Sequence, residues 1–505
     1  MWAMTLMKFQ STLIALLAIT SIVLSLPLDP TSPHPSTSSW TVDLTYRSRR
    51  HRNASEWEEW ARKERHTLLH KYGKQLRKRG NGINLLTNQN ADSSYFGSIV
   101  VGTPPVSYNV ILDTGSSQVL SISLSQFTQI MCATYRDLWL ASKETGSEIP
   151  PEIPAFDPSG STFPCPMNTS FSIKYGSGSV AGTLGRDLVQ FAGFEVPNQV
   201  LGVVSEASDG MLSAPVSGLM GLAFENIATS GATPMWQTLA QTPGILDEPL
   251  MSFQLTRYVD DHTVRSSEPG GTFTIGSLNQ SLYSGEIDYQ PVPDALVGYW
   301  TIELSSLTSQ SSLVPFPSQP KQYAAIDTGT TLVGGPPSII QELYARIPGS
   351  QPGTGNYDGF YTYPCSTSVN ITMSFGSSDI QWPISPADFK LAELSDATCL
   401  GAFFEYNSPT LAPSWIVGDT FLKNVYSVFR LAPNPSVGFA RLSTHAVAMN
   451  AASGPLPTPT FVSTAQIATA SDLGSRRSRS DGLENKSIPR IRLFIGACLA
   501  LAYLF

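Results

Sequence analysis

Two short stretches carry residue types suited to hydrolysis. Asp113-Thr114-Gly115-Ser116 follows the apolar run Val110-Ile111-Leu112, and Asp327-Thr328-Gly329-Thr330 follows Ala324-Ala325-Ile326. The two carboxylates are 214 positions apart, a spacing of one domain. Delivered from equivalent places in two similar halves, they would meet at a shared cleft. Like charges at close range cannot both ionise, so the pair would hold one proton, leaving one member as base and one as acid toward a water between them. A lone Asp-Thr-Gly is usually only a turn. Two copies, each after an apolar strand and before a hydroxyl, point to a duplicated site. The Thr114 and Thr328 hydroxyls can bond across to the opposite loop, Gly115 and Gly329 let the backbones approach, and Ser116 and Thr330 are placed to hold the outer carboxylate oxygens.

Other hydrolytic chemistries lack their parts. Between residues 80 and 460 the histidines are His262 and His445, with no Gly-x-Ser-x-Gly, cysteine partner or metal-ligand spacing near either. Gly176-Ser177-Gly178 with Gly182 superficially suggests a phosphate loop, but the spacing and the strand-turn-helix context are wrong. No metal and no organic cofactor is expected.

The elements that must position the pair read as short strands. Gly97–Val101, Thr272–Ile275 and Val425–Phe429 are β-branched and aromatic runs bounded by turn residues, which predicts an all-β architecture with few helices. One helix is predicted over Ser338–Ile347, opened by Pro336-Pro337. Downstream of each carboxylate the halves echo one another, with Ser217-Gly-Leu-Met-Gly-Leu222 matched by Trp415-Ile-Val-Gly-Asp419. A glycine at such a place lets a loop pass close to paired strands.

Charge divides the chain further. Residues 27–79 carry 12 basic against 6 acidic side chains, whereas residues 80–460 carry 12 against 30, a net of −18. A body that acidic is relieved of self-repulsion in acid, and nucleic acid is not expected as a partner. The start, residues 1–26, reads as a signal peptide, with Lys8 before the apolar run Leu13–Leu26. Residues 27–79 read as a propeptide ending at the dibasic Lys78-Arg79, held electrostatically on the acidic body and released on acidification. Cys365 and Cys399, both in the second half, are read as a disulfide, and Cys132, Cys165 and Cys498 have no evident partners. Asn53, Asn168, Asn279, Asn370 and Asn485 head glycosylation triplets. Residues 446–482 form a Ser/Thr/Pro-rich stalk, and residues 483–505 combine a polar spacer with an apolar tail of 13 residues, Leu493–Phe505. That tail is shorter than the roughly 20 residues a span requires, and with the small residues Ser480-Asp481-Gly482 it matches a GPI-attachment signal. The expected location is the secretory pathway, ending at the cell surface or outside the cell.

Further motifs make the pattern specific. Tyr95–Pro105 has the form of a hairpin, Lys174-Tyr-Gly-Ser-Gly-Ser179 of a flap, and Gly298-Tyr-Trp300, Cys365, Cys399 and Trp415–Phe421 follow in order. Across about residues 92–443 the chain resembles the pepsin family of aspartic proteases. The resemblance implies two β-barrel-like lobes, residues 80–293 and 294–445, with a central active-site cleft. It implies an acid endopeptidase acting as a monomer on extended polypeptides and restrained by its own propeptide. Asp113 and Asp327 become the catalytic pair, Tyr175 the aromatic flap tip, Gly176 and Ser177 its donors, and Trp139 the support of Tyr175.

The chain departs from the family in one place. The family runs from its first Asp-Thr-Gly-Ser-Ser directly into the segment seen here as Asp137-Leu-Trp139, whereas nineteen residues, Gln118–Arg136, intervene. They are either a surface loop, with Cys132 and Cys165 as a conceivable pair, or a retained intron of 57 nucleotides that preserves the frame. The second reading is preferred because the segment interrupts a strand leaving the site. A peptide-gripping protein that no longer cuts is the rival from another class, opposed by the intact Asp113, Asp327, Ser116, Thr330 and Tyr175.

Overall fold

The computed structural model describes residues 80–116, 138–143, 149–161, 165–175, 178–227, 233–259, 261, 263–408, 412–452 and 466–467. The leader, the propeptide, residues 118–136, Gly176, Ser177, His262 and the anchor signal lie outside the described residues, as does the side chain of Cys165.

Strands dominate, as the alternating and apolar runs require, and the fold is all-β and bilobal. The largest sheet passes through both halves. At its centre Leu250–Leu255 pairs antiparallel with Ser267–Ile275 on one side and with Val425–Arg430 on the other, so first-half and second-half strands hydrogen-bond directly. Gly82–Gln89 adds to one flank, and Ser436–Leu442 followed by Tyr283–Pro291 to the other. Around this seam the aromatic side chains of both halves fuse into one core. Trp300 is fully buried, its ring 4.3 Å from Phe224 and 5.3 Å from Phe429, and its indole N–H donates to Leu222 O at 2.9 Å. Aromatic rings supply much of the apolar area that such a core removes from water.

The echo between halves is a shared strand arrangement. Val106–Asp113 runs parallel to Val216–Gly221, with Asp113 opposite Gly221. Tyr323–Ile326 runs parallel to Trp415–Val417, with Ile326 opposite Val417. Each second strand is then paired antiparallel on its far side, by Leu138–Ala141 in the first half and by Val333–Gly335 in the second. The glycines have a steric reason. A Cβ on Gly218 would strike the Trp139 carbonyl, and one on Gly418 the Thr330 carbonyl.

The helix expected over Ser338–Ile347 forms as Pro337–Tyr344, burying Ile339, Ile340, Leu343 and Tyr344. The Cys365–Cys399 disulfide is present, with the Cα atoms 5.0 Å apart. The packed body runs to Ala452, past the start of the stretch read as stalk. Ala446 is buried in the short helix Thr444–Val447, Ala451 N–H donates to Arg257 O, and the Tyr258 hydroxyl donates to Ala452 O at 2.9 Å. Beyond it, Gln466–Ile467 pairs parallel with Phe194–Glu195. Among the described residues no helix is long and apolar enough to cross a membrane.

Candidate active site

Each Asp-Thr-Gly leaves its strand at the line where the halves meet, and the backbone first fixes the two loops to one another. Thr114 N–H donates to Thr328 Oγ1 at 3.1 Å, and Thr328 N–H donates to Thr114 Oγ1 at 3.0 Å. The hydroxyls donate onward, Thr114 to Ile326 O at 2.8 Å and Thr328 to Leu112 O at 2.6 Å. All four atoms are buried, so every donor and acceptor in this crossing is satisfied within the protein.

The crossing brings Asp113 and Asp327 together. Each accepts its own glycine's amide at 2.8 Å, Gly115 N–H to Asp113 Oδ1 and Gly329 N–H to Asp327 Oδ1. Each carboxylate also faces the other half's glycine so closely that a Cβ on Gly115 would fall on the Asp327 carboxylate and one on Gly329 on that of Asp113. Glycine is required here by proximity, not by dihedral angle. Both aspartates are nearly buried, at 6% and 9% exposure, which is unusual for ionisable groups and marks them as functional candidates. Burial, then the charge of Asp327, then a hydrogen bond with Asp327 push the Asp113 carboxyl well above the usual carboxylate range. One proton between two carboxyls is the state this geometry favours.

The flanking hydroxyls act on the carboxyls of their own motifs. Thr330 Oγ1 donates to Asp327 Oδ2 at 2.7 Å. A side-chain hydrogen bond from Ser116 acts on Asp113 in the opposite direction to burial, drawing its pKa down.

Despite the intervening segment, Trp139 takes its place in a strand between Val216–Gly221 and Phe194–Ala207. Its indole N–H donates to the Tyr175 hydroxyl at 2.9 Å, and Tyr175 N–H donates to Gly178 O at 2.7 Å across the hairpin tip. Gly176 and Ser177, expected as donors on that tip, are outside the described residues.

Several residues that hold the site were not anticipated. Asp419 lies buried beside the second loop, its N–H donating to Thr330 O at 2.8 Å and its Oδ1 without a partner among the described residues. Burial raises its pKa well above the usual range against the counteracting charge of Lys423. Lys423 Nζ is 3.0 Å from Asp92 Oδ2 and 2.9 Å from Asp388 Oδ1, bridging the two halves. Thr331 Oγ1 donates to Ser93 O at 2.7 Å, tying the second loop to the turn that carries Asp92. Asp92 has a positive φ of 72°, a strained setting that its bonds from Asn88, Tyr258 N–H and Lys423 hold in place. Residue types alone carry no signal for these long-range pairs. No cluster of metal-binding side chains occurs among the described residues.

Two buried carboxyls gripped between matching loops, under a hairpin whose tyrosine is held by a tryptophan, define a hydrolase of the two-aspartate class. The eukaryotic aspartyl protease family matches residues 94–442, and the chain belongs to that family. It is 39% identical over 374 residues to Major aspartyl peptidase 1 of Cryptococcus neoformans var. grubii, covering 72% of each chain. It is 32% identical over 353 residues to Pepsin A of Sus scrofa, covering 69% of this chain and 81% of the relative. It is 32% identical over 370 residues to an aspartic protease of Phaffia rhodozyma, covering 72% and 80%. The chain is an aspartic endopeptidase that hydrolyses peptide bonds at acid pH.

Proposed function

We propose that Asp113 and Asp327 are the catalytic pair, holding one water and one proton between them. The ionised carboxylate takes a proton from the water as it attacks the scissile carbonyl, and the protonated carboxyl donates toward the amide. The observation that supports this most directly is the reciprocal crossing of Thr114 and Thr328, which holds both carboxyls against the opposite glycine. Such preorganisation contributes more to rate than any single contact, because the groups need no rearrangement during reaction.

Tyr175, with Gly176 and Ser177, closes over the substrate, and Trp139 fixes the tyrosine from behind. A cleft beside a hairpin takes polypeptides in extended form. Closure removes water and strengthens the electrostatics of the step.

In this reading residues 1–26 are a leader and residues 27–79 an inhibitory propeptide whose basic charge complements the −18 body. The lobes extend over 80–293 and 294–445, and the packed segment to Ala452 precedes the stalk that ends near residue 482. Residues 483–505 direct attachment of a GPI anchor, so the mature enzyme is a monomer at the cell surface. Release of activity from intact cells by a phosphatidylinositol-specific phospholipase tests the anchor; activity that stays with the cells, or is already free in the medium, counts against it. For the catalytic pair, purified protein freed of residues 1–79 is expected to cleave an unfolded polypeptide at about pH 3 to 4, near the carboxylate range, and not when Asp113 is asparagine. Undiminished cleavage by Asp113→Asn would refute the assignment.

A further inference from the structure

We propose that Gly80-Asn81-Gly82 is a preformed seat for the N-terminus of the mature enzyme: the strand it opens already occupies its final place while residues 1–79 are attached, and proteolytic removal of the propeptide runs back to this seat and halts there. The inference rests on the reading of residues 27–79 as a propeptide and names what fixes its boundary.

The seat is built mainly from backbone. Gly80 N–H donates to Ile245 O at 2.9 Å, and Gly80 O accepts Asp247 N–H at 2.9 Å. Asn81 Nδ2 donates to Asp247 Oδ2 at 3.1 Å. Two glycines close the fit. A Cβ on Gly82 would fall on the Ala192 carbonyl oxygen and lie 2.9 Å from the Phe194 ring, and one on Gly276 would lie 2.6 Å from Gly80 O. Backbone approach this close admits glycine alone, and a chain end loosely laid on the surface would not require it.

From Gly82 onward the chain is committed to the sheet. Gly82–Gln89 pairs antiparallel with Ser267–Ile275, from Gly82 opposite Ile275 to Gln89 opposite Ser267. On the other edge Thr87–Gln89 pairs with Ser94–Phe96, and beyond that ladder the Asn84 side chain takes over, donating to Ser98 O at 2.7 Å and accepting from Ser98 N–H at 3.2 Å. Leu86 is buried in the main core. A protease takes its substrate as extended, unpaired chain, so a strand held on both edges opens only with the surrounding sheet. Gly80 makes no more than an isolated bridge, to Leu246, and can open alone. Because Gly82–Gln89 fills the position beside Ser267–Ile275 in the full chain, no other segment holds it before the cut, and activation is departure of the propeptide without an exchange of strands.

An endoprotease with acidic pockets for the paired Lys78 and Arg79 would act on the bond after Arg79. Water adds across that bond, its hydroxyl to the Arg79 carbonyl carbon and a proton to the Gly80 nitrogen, leaving a carboxylate on the released piece and an ammonium on Gly80. The ammonium keeps Ile245 O as its acceptor, and Asp247, whose N–H already bonds Gly80, brings an opposite charge to the new end.

Hydrogen exchange read by mass spectrometry, on the full chain carrying Asp113→Asn before and after cutting with an endoprotease specific for paired basic residues, tests the seat. The amides of residues 82–89 are expected to exchange within about threefold of the same rate in both forms. A larger gain in protection on cutting overturns the proposal. A broad-specificity aminopeptidase added to the cut protein, followed by intact-mass measurement, is expected to leave Gly80 or Asn81 as the first residue, and to pass into Gly82–Gln89 in Gly82→Ala. Trimming of the unsubstituted strand past Gly82, or the same end in a folded Gly82→Ala, overturns it. Neither readout uses turnover by this enzyme. A propeptide that does not inhibit would appear instead as equal acid proteolysis by the wild-type chain before and after the cut, with the exchange result unchanged.

Discussion

Thr114 and Thr328 exchange hydrogen bonds symmetrically across the two halves, each amide donating to the other's hydroxyl at 3.1 and 3.0 Å. Replacing either by valine leaves a buried amide without its acceptor and a buried carbonyl without its donor, a loss of about 1–3 kcal/mol per unsatisfied group. Thr114→Val and Thr328→Val should each lower thermal stability and reduce kcat, while the serine variants stay close to wild type. Calorimetry beside kinetics checks this; a valine variant with unchanged stability and rate would show that the crossing does not hold the site.

Asp419 gives the enzyme a pH dependence of known sign. Its folded-state pKa is raised by burial, so between the unfolded value of about 4 and the folded one the native state binds more protons than the unfolded state. Its contribution to stability is complete below about pH 4 and is lost as pH rises toward the folded value. Asp113, raised for the same first reason, acts in the same direction. Melting temperature measured from pH 3 to pH 7 should fall less steeply for Asp419→Asn than for wild type. Parallel curves would show that Asp419 does not titrate in that range.

The Tyr175 hydroxyl accepts a hydrogen bond from the Trp139 indole N–H at 2.9 Å. Tyr175→Phe removes the acceptor while keeping the ring, so kcat/KM should drop by about 5- to 10-fold, the equivalent of a bond of roughly 1 kcal/mol. Melting temperature should change little. A drop in stability without a kinetic effect would mean that the pair serves the fold and not substrate closure.

Residues 118–136 enter where a strand leaves the first carboxylate, yet Leu138–Ala141 is fully paired beyond them. A form lacking these nineteen residues should fold and hydrolyse protein in acid at least as fast as the full chain, and transcripts across codons 110–145 should lack the 57 nucleotides. A transcript retaining all 57 would establish the segment as a loop of the mature enzyme.

Much of the site was legible because its residues are local. Asp113 and Asp327 each follow an apolar strand, the crossing uses the next residue, and the glycines after it are needed for close approach. The echo of Ser217–Leu222 and Trp415–Asp419 likewise corresponds to one strand arrangement used twice. The contacts from Lys423 to Asp92 and Asp388, and from Thr331 to Ser93, could not be read the same way. They join segments hundreds of residues apart, and nothing in the local pattern distinguishes a lysine in a buried ion pair from one at the surface.

The central claim is that Asp113 and Asp327 act as one unit on one water. Rates for Asp113→Asn, Asp327→Asn and the double variant, measured in acid on one peptide substrate, test it most directly. Each single change should lower kcat by at least about a thousandfold and the double change should cost little more, as expected for groups that work together. Either single variant remaining within about tenfold of wild type, or losses that simply multiply, would contradict it.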